Sequence, residues 1–209
     1  MIGQSVPIRQ IMNLIERIAP VDIPVLITGE SGTGKEETAK LIHRLSRRKD
    51  GPLVPVNCSA LPPTLIESTL FGHEKGAFTG ADRRKPGLFE TADGGTLLLD
   101  EFTEMPCETQ AKLLRILEDG KVLPVGGTKE ASTNVRILAA SNRRLDREIR
   151  AGRLREDLFF RLNVCPIHLP PLRERLEDLP LLIDEFIRGT NEKLGKQISG
   201  LDDELSGVM

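Results

Sequence analysis

The sequence predicts an α/β fold: a parallel five-stranded sheet between layers of helices, followed by the start of a smaller helical unit. Three observations lead there. Short apolar runs alternate with helix-period segments along the 209 residues, a pattern that requires a sheet covered on both faces. Polar, chemically active residues stand just past the ends of those runs, where open α/β sheets bind ligands. The length suits one core of this kind with a small appendage.

Taken in order, Ile8, Ile11, Met12, Ile15 and Ile18 repeat at helical spacing and open the chain with an amphipathic helix, with Ser5 to cap it and Pro20 to end it. Pro24 to Thr28 reads as a short buried strand, followed by a Gly-rich turn and a helix from about Glu36 to Ser46. Leu53 to Val56 is the second strand. Gly95 to Leu99 is the third and ends in Asp100 and Glu101. Gln110, Leu113, Leu114 and Leu117 mark another amphipathic helix, with Gly120 as its C-terminal cap. Val135 to Ala140 is the fourth strand, ending at Ser141 and Asn142, and Asn163 to Leu169 is the fifth. The Pro170-Pro171 pair marks a boundary, placing the α/β core at 1–170 and a helical unit at 171–209 that begins with a helix over Leu179 to Leu194.

Composition narrows the function classes. With 29 basic and 31 acidic residues the formal net charge is -2, so overall charge offers no reason to coat DNA or an anionic membrane. No apolar run approaches the roughly 20 residues of a membrane helix. The first residues lack the layout of a signal peptide. Cys58, Cys107 and Cys165 are scattered and odd in number, fitting packing residues in a reducing cytoplasm better than a disulfide framework or a zinc site.

Gly29, Glu30, Ser31, Gly32, Thr33, Gly34 and Lys35 lie between a strand and a helix, the context of a Walker A loop. There the glycines let backbone N–H groups turn toward phosphate oxygens, and the helix N-terminus adds positive potential. Lys35 would reach the β- and γ-phosphates of ATP. Glu36 occupies the place where most such loops carry a Mg²⁺-binding Ser or Thr. Asp100 and Glu101 after Leu97-Leu98-Leu99 have the form of a Walker B strand end: Asp100 would orient Mg²⁺ and Glu101 would orient or deprotonate the attacking water. Asn57, ending the second strand, is placed to hydrogen-bond Glu101; Asn142, ending the fourth, is placed to sense the γ-phosphate. Solvated strand-end polar groups are the alternative for each.

A helix around Glu156 to Phe160 would bury Leu158 and Leu162 and turn Arg155 and Arg161 outward. These arginines are either surface salt-bridge partners or fingers inserted into a neighbouring subunit's ATP. Gly76, Ala77, Phe78, Thr79, Gly80 and Ala81 read as an exposed loop with glycine pivots. An exposed Phe costs solvation unless it meets a partner; the alternative buries Phe78 in the core.

Taken together, these residues resemble the AAA+ domain of sigma-54-dependent activators, the bacterial enhancer-binding proteins. Gly29 to Glu36 reads GESGTGKE, Leu70 to Ala81 LFGHEKGAFTGA, Gly94 to Glu101 GGTLLLDE, Gln110 to Leu117 QAKLLRIL, Arg155 to Val164 REDLFFRLNV and Leu169 to Arg175 LPPLRER, in family order and spacing. The family commonly carries Glu where Glu36 stands. Thr69, Phe102 and Leu154 depart from the family's usual acid, Ile and aromatic residue. The resemblance implies an AAA+ P-loop NTPase with ATP and Mg²⁺ as cofactors. It implies that 76–81 contacts the sigma-54 RNA polymerase holoenzyme and that hydrolysis remodels the closed promoter complex. It also implies a Glu101–Asn57 switch, Asn142 as sensor, Arg155 and Arg161 as fingers in trans, and hence a homo-oligomer, in this family usually a hexameric ring. On this reading 171–209 is the beginning of a truncated helical lid. DNA binding is expected only through a C-terminal domain absent from this chain, and no membrane association is expected. A nucleotide-binding regulator that does not hydrolyse ATP is the competing expectation.

Overall fold

The computed structural model describes residues 2–198 and 200. Helix α1 (Val6–Ile18) leads into strand β1 (Val25–Thr28), helix α2 (Lys35–Leu45) and strand β2 (Leu53–Asn57). Helices α3 (Pro63–Phe71) and α4 (Leu88–Thr91) precede strand β3 (Thr96–Asp100) and helix α5 (Cys107–Asp119). A small hairpin of β4 (Lys121–Val122) and β5 (Ala131–Ser132) comes next, then strand β6 (Arg136–Ser141). Helices α6 (Leu145–Arg150) and α7 (Glu156–Leu162), strand β7 (Pro166–His168) and helix α8 (Leu179–Leu194) complete the described order.

The sheet is five-stranded and parallel throughout, in the order β2-β3-β6-β1-β7. Strand period decides how the layers form. In β3, Leu97 and Leu99 enter the core on one face while Leu98 enters the core on the other. Ile137 and Ala139 alternate with Leu138 and Ala140 in β6, and Leu26 with Val25 and Ile27 in β1. Successive strand side chains point to opposite faces, so the middle of each central strand is apolar on both faces. One face is covered by α1 and α2 through Ile15, Ile18, Ala39 and Ile42. The other is covered by α3 to α7 through Ile66, Leu70, Phe89, Leu113, Leu145, Leu158 and Leu162.

The register aligns the strand ends that matter. Asn57 pairs with Asp100, Asp100 with Ala140, Thr28 with Ser141 and with His168. The loops leaving β1, β2, β3 and β6 therefore start at one carboxyl edge.

Two expectations need correction. Ser5 precedes α1 but makes no side-chain cap there; its hydroxyl donates instead to Asp178 at 2.7 Å. The helix's last carbonyls are met from the other end, where Arg136, buried at the start of β6, donates to Ile18, Ala19 and Ile23. The fifth strand is shorter than the stretch from Asn163, because Asn163 closes α7 and pairing with β1 begins at Pro166. The expected cap Gly120 does end α5, with φ 65°. Helix α8 is as predicted, whereas 201–209, assigned to the lid from sequence, lies outside the described residues.

Candidate functional site

The turn from β1 to α2 is shaped by its glycines. Gly34, at φ 99°, is the N-terminal flanking residue of α2 and adopts a left-handed conformation that disfavours a side chain. Gly29 is required for a different reason: a Cβ there would stand 2.8 Å from the Leu169 carbonyl oxygen. The loop is tied internally, with the Thr33 hydroxyl donating to the Glu30 carbonyl at 2.8 Å and Thr38 to the Gly34 carbonyl at 2.9 Å. Lys35 is only 8% exposed. Its Nζ donates to the carbonyls of Gly29 and Glu30 at 3.1 and 3.3 Å and lies 3.6 Å from Glu101 Oε1.

Glu101 is the one non-glycine residue with positive φ among the described residues, at 50°. Such a conformation costs on the order of 1–3 kcal/mol and persists only when its surroundings over-determine it. Here they do. The Glu101 N–H donates to Asp100 Oδ1 at 3.1 Å, and Phe102, fully buried, anchors the 3-10 turn that follows. The Glu101 carboxylate accepts the backbone N–H of Asn142 at 3.0 Å, joining the ends of β3 and β6.

These groups share one cleft of about 480 Å³, lined by Ser31, Gly32, Gly34, Lys35, Glu36, Glu37, Asn57, Ser59, Asp100, Glu101 and Asn142. Sequence reading placed most of these residues in a common site, and the structure brings them together. Glu36 is at its rim, its carboxylate 2.9 Å from Lys40 Nζ. Asn57 lines the cleft without making the expected bond to Glu101. Its Oδ1 accepts from the N–H and the hydroxyl of Ser59 at 2.9 and 2.7 Å, because it caps the 3-10 turn beginning at Cys58. Beneath the acids, burial first and the charges of Asp100, Glu101 and Glu104 next push the Cys58 thiol up to about 12.

A second, apolar pocket of about 250 Å³ shares Gly32, Gly34 and Glu37 with the cleft. Ile2, Leu172, Arg175 and Leu182 supply its other walls. Sequence reading missed it because its walls come from the two ends of the described chain.

Arg155 and Arg161 do not line the cleft of their own chain. Arg155 pairs with Asp157 at 2.7 Å, and Arg161 donates to the Leu117 carbonyl at 3.1 Å. Both are exposed, while Leu158 and Leu162 are buried as predicted. Gln110 fixes the backbone at Arg155. Buried in α5, it donates to the carbonyls of Met105 and Arg153 and accepts the Arg155 N–H at 2.9 Å.

The segment 76–81 leaves the body between α3 and α4. Its stem is clasped by mutual backbone hydrogen bonds of His73 and Lys85 at 3.0 Å, and by Glu74 donating to Val125. Within it, the Gly76 N–H reaches the Ala81 carbonyl at 2.8 Å. Phe78 is 38% exposed and rests its ring on His73, centroids 4.9 Å apart. It is thus neither in the core nor fully in water. Ala81 is buried, and Thr79 and Gly80 are exposed.

Among the described residues no group of three or more His, Cys, Asp or Glu side chains could hold a metal alone. Asp100 and Glu101 nevertheless suit Mg²⁺, which is commonly held by one or two carboxylates with phosphate oxygens and water. No helix among the described residues is long and apolar enough to cross a membrane.

Comparison with known proteins gives a consistent picture. A family profile described as the Sigma-54 interaction domain matches residues 1–168. The chain is 54% identical over 186 residues to the DNA-binding transcriptional regulator NtrC of Bradyrhizobium sp., covering 89% of this chain and 39% of that protein. It is 53% identical over 198 residues to the Nif-specific regulatory protein of Klebsiella pneumoniae, covering 95% and 38%. The chain thus spans about two fifths of the length of these relatives. Among solved structures, NtrX from Brucella abortus in complex with ATP superposes with a TM-score of 0.88 at 42% identity, covering 94% of this chain and 42% of that one. Hsp104 with ATPγS and casein, at 19% identity and TM-score 0.61, shares the fold, covering 86% of this chain and 36% of that one. The fold is that of AAA+ P-loop NTPases.

Proposed function

This chain belongs to the Sigma-54 interaction domain family, and from that premise we propose that it binds and hydrolyses ATP to remodel sigma-54 RNA polymerase at promoters. One observation carries the reading: phosphate loop, lysine, acid pair and Asn142 converge on a single cleft at the carboxyl edge of the sheet. A carboxylate facing the phosphate side of that cleft, Glu101, suits a water-activating base, a group that a passive binding module does not need.

In this reading the N–H groups of Gly32 to Lys35 and the Lys35 ammonium hold the β- and γ-phosphates. The apolar pocket beside Leu172 and Leu182 takes the base. Asp100 would hold Mg²⁺, which neutralises charge on the phosphates. Glu101 orients the attacking water and takes up its proton. Its bond to the Asn142 N–H couples that step to the end of β6, so a change at the phosphate is felt there. Asn57, seated beside the acids with its Oδ1 held by Ser59, would serve the proposed switch by donating its amide N–H to the Glu101 carboxylate. Arg155 and Arg161, remote from their own cleft, serve a neighbour's ATP in a ring. Phe78 and Thr79 engage sigma-54 when the loop leaves its seat on His73.

The test is Glu101→Gln. ATP affinity is expected to stay near wild type while turnover falls by roughly 10²–10⁴. Turnover that is unchanged would remove the assigned role of Glu101.

A further inference from the structure

The chain grips its phosphate loop immediately after leaving the sheet. Pro170 and Pro171 are buried, and two 3-10 turns follow at Leu172–Glu174 and Leu176–Asp178. On the outside, Arg173 donates to both oxygens of Glu30 at 2.7 and 2.6 Å. On the inside, Arg175 is 7% exposed and its Nη2 donates to the Thr33 carbonyl at 3.0 Å. Arg175 forms no ion pair among the described residues, and its buried Nε–H has no partner among them. The nearby carboxylate of Asp178 is taken by Gln4 and Ser5. A buried guanidinium used so sparingly is costly. Its one bond to protein goes to the phosphate loop, and it forms a wall of the apolar pocket beside that loop.

The geometry of a trans peptide says what that bond does. The Thr33 carbonyl and the Gly34 N–H belong to one planar unit and point in opposite directions. Holding the carbonyl therefore aims the N–H. Gly34 and Gly32 both have positive φ, and each would meet nothing within 4 Å if it carried a Cβ. Gly34 has no side chain to bias this peptide, and the loop's internal bonds hold the Thr33 N–H and hydroxyl and the Gly34 carbonyl but not the Thr33 carbonyl, which Arg175 holds from outside.

We infer that Arg175 is a positioning residue of the nucleotide site, holding the Thr33 carbonyl so that the Gly34 N–H faces the phosphates. It governs ATP affinity and leaves the hydrolytic step alone. The assignment rests on the ATP reading above and extends it to a residue beyond the sheet.

The experiment measures ATP dissociation constants by calorimetry with the full chain and Mg²⁺, together with turnover at saturating ATP. Arg175→Met should weaken ATP by roughly 10- to 100-fold, the range for losing a charge-assisted hydrogen bond. Its turnover at saturation should stay within about twofold of wild type, since no acid or water contact is touched. Arg175→Lys keeps a donor for the Thr33 carbonyl and should recover most of the affinity. If Arg175→Met does not fold, Arg175→Gln takes its place with the same expected direction. Wild-type affinity in the Met or Gln variant overturns the assignment. So does a fall in saturated turnover with affinity unchanged, or a Lys variant no better than Met. Wild-type chain that binds no ATP would overturn the nucleotide reading, and this assignment with it.

Discussion

Glu101 and Asp178 are carboxylates held by donors from distant segments, to different ends. Glu101 has a positive φ and is linked to the backbone of Asn142 at the cleft. Asp178 is fully buried and accepts from Gln4 N–H at 2.6 Å, Ser5 N–H at 2.8 Å and the Ser5 hydroxyl at 2.7 Å. Burial alone would raise its pKa, but the Ser5 and Gln4 donors and the Arg175 charge outweigh it, so the carboxyl lies below its ordinary value. A depressed acid stabilises the fold fully above its unfolded value, near 3.8, and loses that contribution as pH falls through the folded value. Asp178→Asn is therefore expected to cost about 1–2 kcal/mol at neutral pH, where a charged acceptor becomes a neutral one. Denaturant melts should show the gap to wild type narrowing below about pH 4. A gap that is constant or widens there would contradict this account of Asp178.

Elements were legible in sequence where the physics is local. The strands read as apolar runs because the central ones are buried on both faces, and the β1–α2 turn read as a phosphate loop because glycine spacing reports backbone shape. Helix α3, the 3-10 turns and the β4–β5 hairpin went unread, since Pro63 to Phe71 lacks a clear apolar stripe and two-residue strands leave no period. Pairings across long sequence separations were invisible: Ser5 with Asp178, Arg175 with Thr33, Arg136 with the end of α1. Asn57 shows the limit at the site itself, where sequence supplies the residue and its edge but not its capping bonds to Ser59. The 76–81 loop was recognised as exposed, yet its seat on His73 and its clasp to Val125 belong to tertiary structure. Those ties leave Thr79 exposed at the tip with no part in the cleft. Thr79→Ala should accordingly leave ATP turnover within about twofold of wild type and abolish binding to sigma-54. Retained binding in a pull-down with purified sigma-54 would sink the loop assignment.

At the scale of the whole molecule, the cleft holds a lysine and an acid pair, and among the described residues no arginine lines it. Arg155 and Arg161 sit instead on an outward face, with Phe160 between them 65% exposed. Gln110 ties the backbone at Arg155, and the buried Leu158 and Leu162 seat the helix between the two arginines. On the proposed reading, this outward pair of arginines completes the cleft of a second copy. In other NTPases an arginine finger is worth roughly 10³–10⁵ in rate, so a lone chain should bind ATP and turn it over very slowly.

The most direct measurement is ATP turnover per subunit as a function of protein concentration, with molar mass followed alongside. The account predicts a steep rise as copies associate, absent in Arg161→Ala although that variant still binds ATP. Turnover per subunit that is independent of concentration, across a range in which the mass changes, would mean that each chain completes its own active site and would contradict the account.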